Sequence, residues 1–171
     1  MVHHLHQRKL AGRKVLANFG AVFIDDLISA DILKTMPEDL INCAIGTSEV
    51  HLFLESRRTQ GSDQIKITYA ISQFRKRRIE YHWDSQAIHK VEKRLIDETD
   101  ILVHCENLGC GDIECRDRQC GIDTCGFFHY EVWDKHNARK LGEYYLYGPT
   151  DFYHLFDSEE VVMDFTTDGT E

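Results

Sequence analysis

The chain of 171 residues contains only two prolines, and no apolar stretch in it approaches the ~20 residues that a membrane-spanning helix needs. We therefore expect no membrane span. A glycine-rich phosphate loop and a Gly-x-Ser-x-Gly sequence are also absent, so two common signatures of catalysis are missing. No lysine or arginine follows Lys140, and the acidic residues beyond it account for most of the net charge of −9. An acidic segment of this kind favours solubility or pairing with a basic surface.

The cysteines are distributed unevenly, because five of the six recur at an interval of five residues. They are Cys105, Cys110, Cys115, Cys120 and Cys125. The residues between them are rich in Gly and Asp and poor in apolar side chains, so hydrophobic burial alone does not order this segment. Thiolates are preferred zinc ligands, and a bound metal supplies folding energy to such a segment. We predict a structural zinc site formed by these cysteines, with His129 as the imidazole ligand; His104 also flanks the segment.

The five-residue interval has three alternative interpretations. The first is a coil of stacked pentapeptides, but Arg118 and Asp123 interrupt its apolar positions, and so few repeats make little more than one turn. The second is a set of disulfides, which requires an oxidising compartment. The third is an iron–sulfur cluster, although the usual two-residue spacings are missing.

The compartment decides between metal binding and disulfides. Residues 8–24 weakly imitate a signal peptide, but Asn18 interrupts the apolar stretch and two acidic residues, Asp25 and Asp26, end it. We therefore expect a cytoplasmic or nuclear location, in which thiols stay reduced and bind metal.

Hydrophobic periodicity predicts an α+β fold, mainly an antiparallel sheet with two or three helices and the cysteine-rich insertion. We expect one domain over residues 1–150, with a cysteine-rich subregion at 104–129 and an acidic segment at 151–171. Helices are predicted where apolar residues follow a helical spacing, over residues 4–18, 35–46 and 84–97. The second begins with a capping box that joins Thr35 to Glu38.

Strands are predicted where apolar residues alternate or form short buried runs. They lie at residues 21–24, 49–55, 64–71, 101–104, 127–133 and 141–147. The alternation continues to Trp83, which predicts either a further strand after residues 73–78 or one long strand over 65–83. The strands at 127–133 and 141–147 flank residues 135–139, which have the composition of a hairpin turn.

A basic cluster near the middle of the chain is the best candidate for contact with nucleic acid. Its residues are Arg75, Lys76, Arg77 and Arg78, followed by the aromatic residues Tyr81 and Trp83. Arginine binds phosphate through two hydrogen bonds, and aromatic rings stack on unpaired bases. The alternative interpretation is a charged turn between core aromatics.

Two other groups have weaker chemical signals. Asp134, His136 and Asn137 faintly resemble the centre of an HNH nuclease, but they fall in the predicted hairpin turn. Asp25 and Asp26 follow an apolar run and could bind a divalent ion, although adjacent carboxylates usually point to opposite sides.

These patterns favour a small non-enzymatic accessory protein that binds another protein, with zinc as a structural cofactor and no membrane contact. The size and composition suit a viral or phage host-interaction factor. The alternative is an RNA- or DNA-binding protein that uses Arg75–Arg78 and the nearby aromatics.

Overall fold

The computed structural model describes residues 1–52, 62–109, 126–147, 151 and 153–155. The chain divides into two compact units, one formed by the described residues up to Glu98 and one that begins at Thr99. We describe each unit by itself, and a single domain over residues 1–150 stays a prediction. Within the described ranges, no helix is long and apolar enough to cross a membrane.

The first unit is a mixed α/β structure built on a four-stranded parallel sheet in the order β2-β1-β3-β4. Its elements, in chain order, are α1 (Val2–Leu10), β1 (Lys14–Ala17), β2 (Asp26–Leu27), α2 (Ala30–Thr35), β3 (Cys43–Thr47), α3 (Ser62–Gln73), β4 (Glu80–Trp83) and α4 (Lys93–Asp97). Short 3₁₀ turns occupy Val50–Leu52 and Ile88–Lys90.

Strand β3 lies at the centre of this sheet and is buried along its whole length. Its two faces meet different helices. On one face, Ile45 belongs to a core cluster that includes Leu33 from α2 and Ile71 from α3. On the other face, α1 comes so close that a Cβ added at Gly46 would overlap the Cδ1 of Leu5. The sequence of a strand that is covered on both faces is a continuous apolar run without alternation, as in Cys43–Ile45.

The predicted helix over residues 35–46 is wrong, because the chain ends α2 at Thr35 and then forms β3. Met36 and Asn42 have positive φ angles of 46° and 50°, which no helix tolerates, and they bound the connection. The Asn42 N–H donates to the carbonyl of Arg77 at 2.9 Å, so this connection is fixed by a distant residue. A short apolar run fits a buried strand and a helix equally well.

Other local predictions for the first unit also need correction. Residues 64–71 are expected to form a strand but lie in α3, where Ala70 and Ile71 are buried; Phe74, directly after the helix, is buried as well. The helix expected over residues 4–18 ends at Leu10, and β1 follows it. The strands expected at 21–24 and 49–55 are not observed: residues 21–24 are a turn, and 50–52 are a 3₁₀ turn, with 53–55 outside the described residues. Only part of the helix expected over 84–97 forms, as α4.

The second unit is a three-stranded antiparallel sheet in the order β5-β6-β7. Its strands are β5 (Ile101–Gly109), β6 (Phe127–Asp134) and β7 (Arg139–Tyr147). The strands predicted at 101–104, 127–133 and 141–147 are confirmed, as is the hairpin between the last two. The expectation of a mainly antiparallel sheet therefore holds for this unit alone, since the first sheet is parallel.

We expect Gly46→Ala to destabilise the first unit by about 1–3 kcal/mol, the usual cost of overpacking a core. The added methyl group would meet Cδ1 of Leu5, and because Leu5 is fully buried its shift would disturb the packing around it. Urea unfolding of the single variant, of Leu5→Ala and of the double variant measures this. The loss in the free energy of unfolding of the double variant should be smaller than the sum of the losses of the two single variants. Losses that simply add would contradict the close contact.

Candidate functional site

The strand order places a topological switch point at the carboxyl ends of β1 and β3. From β1 the chain continues to β2 on one side, and from β3 it continues to β4 on the other. The connections after β1 and β3 therefore leave in opposite directions. In open parallel sheets, ligands bind outside the carboxyl ends of the strands at such a switch point. The residues that directly follow β1, β3 and β4 are thus the first candidates for a functional site.

Asn18 joins the ends of the two central strands. It follows β1 and is fully buried. Its Nδ2 donates to the carbonyl of Ser48 at 3.0 Å, and its Oδ1 accepts from the Ser48 N–H at 2.8 Å. The amide thus satisfies both backbone groups of the residue that follows β3. This pair of bonds fixes the position from which the next residue, Glu49, leaves the sheet.

Asp84 makes the equivalent connection between the ends of β3 and β4. Its carboxylate accepts from the Ser48 hydroxyl at 3.1 Å and from the Glu49 N–H at 2.9 Å. Its own N–H donates to the Thr47 carbonyl, and its carbonyl accepts from the Val50 N–H. Side chains from the ends of β1 and β4 therefore hold the short segment that follows β3 in place.

Glu49 is the most unusual residue of this segment. Its φ angle is 53°, in the left-handed region that a residue with a side chain seldom adopts. Its Oε2 atom is buried and receives no hydrogen bond from any residue that the structure describes. It lies 3.1 Å from Nδ1 of His51, and the same nitrogen lies 2.9 Å from the Ser85 hydroxyl. A strained backbone and a partly buried carboxylate beside a histidine at a switch point are typical of binding and catalytic sites.

With this geometry established, the chain can be compared with known proteins. Its fold is similar to that in the crystal structure of the N-terminal domain of zonular occludens toxin from Neisseria meningitidis, with a TM-score of 0.57 and 13% sequence identity. The match covers 85% of this chain and 80% of that chain. At this identity the likeness concerns the fold alone. No protein-family model matches the chain, and no curated protein matches it.

The predicted basic cluster lies between α3 and β4, at the opposite edge of the sheet from Glu49. Arg75, Lys76 and Arg78 are exposed. Arg77 is half-buried, and its Nη1 donates to the carbonyls of Met36 and Pro37 at 3.0 and 2.6 Å. Three of the four cations are thus presented to solvent, while Arg77 fixes the connection after α2.

The two aromatic residues predicted beside this cluster lie elsewhere. Tyr81 is in β4, packed against the core cluster, and its hydroxyl accepts from the Thr47 hydroxyl at 2.7 Å. Burial raises the pKa of Tyr81 above its ordinary value. Trp83 is half-buried against the same core. Neither ring is presented to solvent beside Arg75, so stacking on a base would need a different conformation.

Of the residues predicted to bind zinc, the structure describes Cys105 and His129, whereas Cys110, Cys115, Cys120 and Cys125 lie outside the described residues. Cys105 is exposed on β5 opposite Tyr130, and His129 on β6 is opposite Glu106. Neighbouring register positions point to opposite faces of a sheet, so the strands do not bring Cys105 and His129 together. The cysteine-rich zinc site stays a prediction.

The remaining candidates have structural partners. Asp25 accepts from the Val15 N–H at 2.8 Å and pairs with Lys9, and these contacts, with that of Lys9 first, lower the pKa of Asp25. Asp26 pairs with Lys14 at 2.7 Å. In the hairpin, Asp134 accepts from the N–H and side chain of Asn137, and His136 lies 3.3 Å from Asp100. These contacts form turns and surface ion pairs.

Sequence reasoning missed the residues at the carboxyl edge. They are Asn18, Ser48, Glu49, His51, Asp84 and Ser85. The signal that could have found them is a polar residue at the end of each short apolar run, in the sequences KVLAN, CAIGTSE and EYHWDS. That signal has meaning only for parallel strands, whose carboxyl ends meet at one edge.

We expect Glu49→Gly to be more stable than Glu49→Ala by about 1 kcal/mol. Both variants lose the carboxylate, but only glycine adopts the left-handed backbone without strain. Chemical denaturation of the two variants measures the difference. Equal stabilities would show that Glu49 is not strained.

Proposed function

We propose that the first unit binds a phosphorylated small ligand of the nucleotide class, together with Mg²⁺, at the carboxyl ends of β1 and β3. The observation that carries this proposal is Glu49, which combines a left-handed backbone with a buried carboxylate oxygen, paired with His51, at the switch point. The bonds from Asn18 and Asp84 hold it there before any ligand arrives. Preorganisation of this kind lowers the cost of binding.

Two features of this edge suit the two halves of such a ligand. The N-terminal end of α1 lies over Gly46, near the end of β3, with the Met1 Sδ 3.5 Å from a Cβ built there. Among the residues that the structure describes, no side chain caps that end of the helix. Uncapped N–H groups and the helix dipole attract phosphate. The carboxylates of Glu49 and Asp84 suit the water molecules of a hydrated magnesium ion, because Mg²⁺ prefers oxygen ligands and keeps several waters.

The similar fold of the zonular occludens toxin N-terminal domain supports the α/β frame of this proposal and nothing finer. Ligand binding at this edge requires no catalytic step. It is compatible with the protein partner and the accessory role that the sequence predicts. A ligand bound at this edge would contact the loops that follow β1, β3 and β4, which are the parts of an α/β unit that usually carry function.

The test is titration of the protein with a fluorescent ATP analogue in the presence of Mg²⁺. We expect Glu49→Gln to weaken binding about tenfold or more, because the neutral amide no longer orders the waters of the magnesium ion. The matched control is Glu38→Gln, which removes the same charge from an exposed position of the same unit and should bind as the parent does. Binding that is absent in the parent, or unaffected by Glu49→Gln, would refute the proposal.

A second candidate function, nucleic-acid binding, is favoured by the exposed side chains of Arg75, Lys76 and Arg78. They lie together at one edge of the sheet, and cations arranged in this way bind phosphate backbones. Because the aromatic rings of Tyr81 and Trp83 pack against the core, we propose contact with phosphates alone. Binding should therefore depend strongly on salt and little on sequence.

Charge reversal tests this second candidate. The triple variant Arg75→Glu, Lys76→Glu, Arg78→Glu should lose affinity for a single-stranded oligonucleotide, and the slope of log K against log salt should fall by about 2. The control reverses three exposed cations of the same unit, Lys90, Lys93 and Arg94. Equal losses in both variants would indicate a non-specific charge effect, and no loss in either would exclude the Arg75–Arg78 surface.

A further inference from the structure

A group of metal-binding side chains lies on the face of β4 that α1 covers. Glu80 and His82 are two residues apart on β4, so they point to the same face, and their register partners are Ala44 and Gly46. His4 reaches them from α1, and its ring centroid is 4.9 Å from that of His82. One ligand atom from each of the three residues lies within 4.8 Å of the other two. This spacing is compatible with a single ion between them.

The position of His82 suits a bound ion. The residue is half-buried on β4, and the ring of His4 on α1 lies against its ring. The Nε2 atom of His82 is buried and has no hydrogen-bond partner among the described residues. Such an atom needs a partner, and a metal ion would provide one.

We propose that His4, Glu80 and His82 bind a zinc ion. Two imidazoles and one carboxylate are a common zinc ligand set, and three protein ligands leave the fourth tetrahedral position to water. None of its three ligands belongs to the cysteine-rich segment, and the site does not rest on the nucleotide proposal. Because its ligands come from α1 and from the edge strand β4, the bound ion would join these two elements.

Zinc has to compete with arginine for Glu80. Oε2 of Glu80 lies 2.6 Å from Nε of Arg8, and Oε1 pairs with Arg13. Burial alone would raise the pKa of Glu80, but the two guanidinium groups hold that pKa below its ordinary value. Arg13 also donates to the carbonyls of Cys43 and Arg78, so it is fixed, whereas Arg8 is more exposed. We infer that zinc displaces Arg8 and leaves Arg13 in place.

A second group of similar composition, His129, Glu131 and Glu143, is a weaker candidate. The ammonium group of Lys140 already lies 2.6 Å from a carboxylate oxygen of each glutamate. It bridges both carboxylates of this group, whereas Arg8 and Arg13 pair with the one carboxylate of the group on α1 and β4. This group also offers only one imidazole, where the group on α1 and β4 offers two.

The test is binding of Zn²⁺ and Co²⁺ to the full chain after removal of metal with a chelator. Co²⁺ at this site should show visible d–d bands without the near-ultraviolet charge-transfer band of thiolate ligands, which separates it from the cysteine segment. We expect His4→Gln and His82→Gln each to remove these bands and to weaken zinc binding at this site about 100-fold or more. The control, His89→Gln, changes an exposed histidine of the same unit and should bind as the parent does.

If His82→Gln does not fold, zinc binding by Arg8→Met and the effect of zinc on the melting temperature still test the site. His4 is exposed, so His4→Gln is expected to fold. Arg8→Met should bind zinc more tightly than the parent, because it removes the competing guanidinium from Glu80. Zinc should raise the melting temperature of the parent and not that of His4→Gln. Unchanged Co²⁺ spectra in both histidine variants, or weaker zinc binding by Arg8→Met, would overturn the proposal.

Discussion

Burial of β3 on both faces is the constraint on which the first unit depends. Because the strand runs through the centre of the sheet, it must be covered by α1 on one side and by the α2–α3 layer on the other. Gly46 sets the distance of α1, since any larger residue would collide with Leu5. The position of α1 in turn determines where its N-terminal end lies and which of its histidines reaches β4.

The same constraint explains the chemistry at the carboxyl edge. The sheet interior ends at fully buried polar groups, Asn18 and Thr47, and each is satisfied by a specific bond. The side chains of Asn18 and Asp84 also accept hydrogen bonds from the backbone N–H groups of Ser48 and Glu49. These bonds hold Glu49 in its left-handed conformation. A rigid sheet thus supports a strained residue, and residues of this kind cluster at binding and catalytic sites.

The accuracy of sequence-based prediction differed between the two units for a physical reason. In β5–β7, strands adjacent in sequence pair with one another, and β6 and β7 join through a short hairpin, so local alternation is enough to predict them. In the first unit, β1 pairs with β3 across about thirty residues and β3 pairs with β4 across a helix. Patterns of neighbouring residues do not predict such pairing. A strand covered on both faces, such as Cys43–Thr47, also lacks the alternation of apolar and polar residues that indicates a strand.

The sequence by itself determined the hairpin of the second unit, the five-residue interval of the cysteines and the exposed basic run near Arg75. Each of these depends on neighbouring residues only. The tertiary structure decided that the first sheet is parallel, that Asn18, Glu49 and Asp84 meet at one edge, and that His4 lies beside His82. Those groups are brought together by parallel strands and by a helix packed on a glycine, and such contacts form only when distant parts of the chain share a core.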